Sequence, residues 1–169
     1  MPLNASQKWE VQKWRDRFRE LKAAGLELKL ENVHAIVKFM SFAERSKREP
    51  VSEDDRICYQ SEKQCHNIPN LNCFVCACPN YESEDEVGGC RLASSKGKYI
   101  KTTITSDRMI WDCSDCGYGH SPNYVELFLT SNLGELKFLS ENMDKFDEEG
   151  AYSLLKEAGL GIKQRKHIL

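Results

Sequence analysis

Cysteine is missing from 110 of the 169 residues; all eight lie between Cys58 and Cys116. The chain also lacks a basic excess. Its net charge is −2, with +2 over residues 1–57, −2 over 58–120 and −2 over 121–169. That sign argues against binding a nucleic-acid backbone, and it is negative over the cysteine-rich centre where a nucleic-acid finger would be basic. No apolar stretch approaches the roughly 18 residues of a membrane span. Met1 to Glu10 has no apolar core of a secretory signal. The expectation is therefore a cytoplasmic protein in a reducing compartment, where clustered thiols serve as metal ligands rather than disulfides. A phosphate loop, a dinucleotide fingerprint and a Ser–His–Asp order are absent too, as are internal repeats and low-complexity tracts. Hydrophobic content of 40% and charged content of 30% suit a folded chain.

Periodicity predicts helices on both sides of the cysteines. Val11, Trp14, Phe18 and Leu21 recur at spacings of three and four, with Lys13, Arg15, Arg17 and Glu20 around them. Ser6 is the expected cap and Gly25 the expected end. A second amphipathic stretch has Asn32 as cap and Val33, Ile36, Val37, Met40 and Ala43 on one face. The charged run Arg45 to Asp55 contains Pro50 and reads as a linker. After the cysteines, Ser121-Pro122 opens a helix with Tyr124, Leu127 and Phe128 on its apolar face. Asn132 is expected to start a further helix through Leu136 and Leu139 to Met143. Asp147, Glu148 and Glu149 precede a last helix ended by Gly159 and Gly161. Lys163 to His167 form a basic, solvated tail.

The centre is rich in turn residues, with one β-branched run at Tyr99 to Thr105. A turn at Ser106-Asp107 would pair it with Met109-Ile110-Trp111. The hairpin would then deliver Cys113 and Cys116 together. The fold expected is α+β: a small, loop-dominated cysteine-rich module with a short β-hairpin, flanked by N- and C-terminal helices. The segments are 1–55, 56–122 and 123–169.

Cys113-Ser-Asp-Cys116-Gly117 has the form of a metal knuckle, since two thiolates two residues apart can meet one ion across a tight turn. His120 adds a third donor. Cys73, Cys76 and Cys78 stand too close for all three to serve one tetrahedral ion without a sharp bend, so they could divide between two sites. Cys65-His66 offers adjacent sulfur and imidazole, and Cys58 and Cys90 are single donors at the edges. Gly88-Gly89 before Cys90 would allow close backbone approach. These ten donors exceed the four of one tetrahedral site and suffice for two. His34 and His167 lie apart and are not expected to ligate.

The run Leu71 to Tyr81, then Gly88-Gly89-Cys90, then Asp112 to Cys116 with His120-Ser121-Pro122, resembles the cysteine-rich small domain family. The chain differs from that pattern in the gap between Cys58 and Cys65, and in Ser121 between His120 and Pro122. The resemblance implies a metal-binding module, with Cys65, His66, Cys73, Cys76, Cys78, Cys113, Cys116 and His120 as ligands. Members occur alone or fused to cobalamin-pathway enzymes such as threonine-phosphate decarboxylases, whose pyridoxal-phosphate domain this chain lacks.

Mixed Cys and His donors favour zinc, in one or two ions. Cys78-Pro79 is similar to the ending of ferredoxin motifs and keeps an iron–sulfur cluster as the alternative. Three functions follow. The first is an accessory module serving a larger protein partner, which Trp9, Trp14 and Phe18 could dock, although the plainer reading of the N-terminal helices is a hairpin packed on the metal module. The second is an electron-transfer or redox-sensing protein. The third is a small metalloenzyme with Glu82, Glu84, Asp85 or Glu86 as base, a reading set below the non-enzymatic ones.

Overall fold

The computed structural model describes residues 2–53, 55–56, 65–66, 68–101 and 109–162. Cys58, the expected Ser106-Asp107 turn and the basic tail lie outside them.

The first helix, α1 (Ala5–Ala23), begins one residue before the expected cap. Asn4, not Ser6, accepts from the Gln7 amide, and the Gln7 side chain accepts in return from the Asn4 amide. That reciprocal pair satisfies amides the first turn cannot bond internally. After a 3₁₀ turn at Leu30–Asn32 comes α2 (Val33–Phe39). Asn32 stands at its cap position but makes no cap; its amide donates to the Glu27 carbonyl instead. Ser41 breaks the helix and caps a separate turn, α3 (Phe42–Arg45), so Ala43 leaves the apolar face and is exposed.

The antiparallel hairpin forms as expected, from β1 (Lys98–Lys101) and β2 (Met109–Asp112), with Tyr99 opposite Trp111. Ser121 caps α4 (Pro122–Asn142), with proline in its first turn. This helix does not restart at Asn132. It bends there, and the Asn132 amide donates to the Phe128 and Gly161 carbonyls at 2.7 and 2.9 Å. Leu127 is exposed, whereas Val125 and Leu129 face inward with Phe128. Asp147 caps α5 (Glu148–Ala158), and Gly159 closes it in the left-handed conformation.

One hydrophobic core draws on helices and cysteine loops alike. Trp14 packs against Phe18, Phe74 and Phe128 at ring-centre distances of 5.8, 5.7 and 6.0 Å. Phe74 and Val75, which separate Cys73 from Cys76, are fully buried in it. Trp14 and Phe18 are therefore core residues rather than docking anchors; only Trp9, at 41% exposure, remains at the surface. The acidic loop is tied down as well. Ser83 contacts Glu10 and Tyr152, and Glu84 pairs with Arg91.

The polar side of α1 is not solvated. Arg17 and Arg45 are each 1% exposed. Arg17 bonds Glu20 at 2.7 Å and Asp55 at 2.9 Å; Arg45 bonds Glu20 at 2.5 Å and lies 3.1 Å from Asp55. Lys13 and Arg48 join at 3.6 and 3.4 Å. Both ends of the run expected to be a linker are thus anchored in a buried ion cluster. Low dielectric demands such mutual pairing, and breaking one partner of a buried pair costs about 3–5 kcal/mol.

Two outcomes test this packing. Trp14→Ala should cost about 3–5 kcal/mol in urea unfolding, while Trp9→Ala should change stability by less than about 0.5 kcal/mol. Burial alone would raise the Asp55 carboxyl, but the Arg17 hydrogen bond and the charges of Arg17, Arg45 and Lys13 hold it down at about 2. Its unfolded value is about 3.9. The stability it contributes is therefore complete above pH 4 and lost as pH falls through 2. Asp55→Asn should flatten the stability curve across that interval, as read by unfolding at successive pH values.

Candidate metal centre

The donor residues are brought together by backbone ties between loops distant in sequence. Cys73 is held where its amide bonds the Met40 carbonyl at 2.9 Å. Asn72, fully buried, joins three elements. Its side-chain amide donates to Val37 at 2.7 Å, its side-chain oxygen accepts from the Phe74 amide, and its backbone amide bonds the His120 carbonyl at 2.7 Å. A bridge between Tyr81 and Cys90 brings the end of the first cysteine run beside Cys90. The Trp111 amide bonds the Val87 carbonyl at 2.7 Å, fixing the hairpin to the same loop.

Glycine is required where these loops touch. Gly88 has φ +74°, and a Cβ there would run into the Tyr81 hydroxyl. Gly117 meets Ile68, whose Cγ2 would lie 2.8 Å from an added Cβ. Ile68 in turn follows Cys65-His66, and of that pair His66 shares a cavity with Cys113 and Cys116. The knuckle is closed by the Cys116 amide on the Cys113 carbonyl at 2.9 Å.

The result is a cavity of about 670 Å³ lined by His66, Cys78, Cys90, Cys113, Cys116 and His120, with Tyr81, Trp111 and Tyr118 among its walls. Six of the ten expected donors share it. Cys73 and Cys76 do not line it; burial pushes the Cys73 thiol up to about 11, against the opposing charge of Arg45. The three-cysteine run is thus divided between two places. Cys65 is exposed, and Cys58 is outside the described residues. Among the described residues no disulfide joins the cysteines, and no three His, Cys, Asp or Glu side chains close into a metal coordination shell. His34, as expected, stands apart on the surface near Glu126.

The chemistry of the lining fits a soft or borderline cation. His66 and His120 stack at 4.0 Å. Burial, reinforced by His66, lowers the His120 imidazole to about 4, so it is neutral at pH 7 and its lone pair is available. Burial likewise lowers His66, opposed in part by the backbone of Ser114 and Cys116. Its Nδ1 is buried with no hydrogen-bond partner among the described residues. A buried ring nitrogen without a hydrogen-bond partner calls for an explanation, and a metal ion would supply one. Burial, then the nearby Cys78 and Cys116, pushes the Cys113 thiol up to about 11; burial pushes Cys78 up as well. Gathered thiols resist ionising together, and a divalent ion that binds them must displace their protons.

A family model, the zinc-finger-like cysteine-rich small domain, matches residues 58–142, half of the chain. The chain belongs to this family. No curated protein and no solved structure shows significant similarity to it. Its α+β architecture and its loop-rich cysteine module are those the sequence leads one to expect. No described helix is long and apolar enough to cross a membrane.

Several residues that shape the site were not legible as such. Asn72, Tyr81 and Ile68 carry no ligand signature, and only Gly88-Gly89 hinted at a close approach. Gly88→Ala should cost more than Gly159→Ala in urea unfolding. Both have positive φ, worth about 1–2 kcal/mol for a residue with a Cβ, but Gly159 has open space around it. Equal costs would mean that the Tyr81 contact does not constrain the loop.

Proposed function

We propose that this protein is a metal-binding accessory module that holds zinc through cysteine and histidine side chains and works beside a larger protein partner in the cytoplasm. The observation that carries the reading is the convergence of four thiols and two neutral imidazoles from separate loops on one cavity, with His66 Nδ1 bare. Imidazole donors among thiols favour zinc over an iron–sulfur cluster. Cys78, Cys90, Cys113, Cys116, His66 and His120 are the candidates for one centre. Cys73, Cys76, Cys65 and Cys58 complete the donor set. A closed site of this kind stabilises the loops around it and needs no catalytic role. Fusion of family members to cobalamin-pathway enzymes supports action beside an enzyme without identifying it. Of the expected anchors only Trp9 is exposed, as are Leu30, Leu92, Leu127 and Phe138, whereas Trp14 and Phe18 are buried.

The iron–sulfur reading is favoured at one place, the all-thiol pair Cys73 and Cys76. Anaerobic purification followed by metal and acid-labile sulfide analysis separates the two. The expected result is stoichiometric zinc without sulfide, with Cys113→Ser and His66→Ala each lowering zinc content or affinity. Iron with sulfide would replace the zinc assignment, and protein free of stoichiometric metal would overturn the metal-binding reading altogether.

A further inference from the structure

Far from the cysteines, the helical pair α4 and α5 is strongly acidic. Residues 122–158 hold eight acidic and three basic residues, a net −5. A groove of about 470 Å³ runs between the two helices, lined by Gly134, Glu135, Phe138, Leu154, Glu157 and Ala158. Phe138 is 52% exposed and Leu154 half-buried, so apolar surface lies open beside two carboxylates. No cation is among the described lining residues, and the ammonium of Lys156 pairs with Glu10 at 3.1 Å. Gly134 lies inside α4, where glycine is the least favoured residue after proline. Neither packing nor backbone conformation requires it there: a Cβ would meet nothing within 4 Å, and its φ is not positive. A glycine under open space in a groove leaves room for another backbone to approach closely.

The chain itself leads to this place. The Asn132 amide donates to the Gly161 carbonyl at 2.9 Å, and the Gly161 amide donates to the Asn132 side-chain oxygen at 3.3 Å. That reciprocal pair fixes the exit from α5 at the bend of α4, two residues before Gly134. Residues 163–169, outside the described residues, read Lys-Gln-Arg-Lys-His-Ile-Leu, a net +3 followed by two apolar side chains. Seven residues reach up to about 23 Å, whereas Gly134 to Phe138 is only about 6 Å along the helix. We propose that the groove is a docking site for a basic, apolar-ended segment, and that its occupant is residues 163–169 of the same chain. The cations of the segment lie against Glu135 and Glu157, and Ile168 and Leu169 cover Phe138 and Leu154. Nothing in this contact depends on a bound metal.

Limited trypsin digestion of the full chain, followed by mass spectrometry, reads the docking at Lys163, Arg165 and Lys166. Gly134→Leu fills the groove from an open position with a better helix former, so it keeps the fold. It should speed cleavage at those three sites by at least about tenfold, while cleavage at Lys156 inside α5 stays unchanged. Glu157→Gln should speed it in the same direction. Replacing Lys163, Arg165 and Lys166 together by Glu should shift the amide resonances of Gly134 and Phe138 at every protein concentration. Equal cleavage in the wild type and both groove variants, or resonances unmoved by the charge reversal, overturns the proposal. Shifts that vanish on dilution place the segment of a second copy in the groove and overturn the same-chain assignment.

Discussion

Two residues of the cysteine run, Phe74 and Val75, are fully buried among Trp14, Phe128 and their neighbours. Everything about the donor arrangement depends on that. With Phe74 and Val75 locked into a close-packed core, where side chains tolerate little displacement, Cys73 and Cys76 are held off the cavity that Cys78 lines. Cys78 emerges on the other side, beside Cys90 and the hairpin knuckle. The helices do more than flank the module: they fill the space its short loops could not bury alone.

Electrostatics divides the two places further. Around the cavity the polar donors are thiols and neutral imidazoles, and burial pushes Cys113 up to about 11 and His120 down to about 4. Both shifts favour uncharged groups, so a cation that binds these thiols must displace their protons. Around Cys73 burial has the same effect, against which Arg45 and Arg17 act in the opposite direction. The same fold thus offers thiols a hydrophobic, imidazole-rich setting in one place and a guanidinium-rich one in another.

The helices, the hairpin and the knuckle were legible because each obeys a local rule: three-and-four spacing, β-branched alternation, a serine–proline start, or two cysteines two residues apart. Boundaries failed where side chains chose between local partners, as when Asn4 rather than Ser6 capped α1, or Asn132 bent a helix instead of opening one. The ion cluster was hidden for a different reason. Lys13, Arg17, Glu20, Arg45 and Asp55 read as solvated faces and a linker, since charged residues bury only when partners far away in sequence meet them. Glu20 and Arg45, or Arg17 and Asp55, are such partners, and no periodicity announces them. Likewise the ten donors could be named from spacing, but their division could not. It follows from where Phe74 and Val75 point, a consequence of tertiary packing.

If cysteine sulfur and histidine nitrogen hold a metal ion in this module, X-ray absorption fine structure at the zinc edge of the zinc-loaded full chain will show a mixed first shell, with sulfur at about 2.3 Å and nitrogen at about 2.0–2.1 Å. A shell of oxygen and nitrogen without sulfur would contradict it.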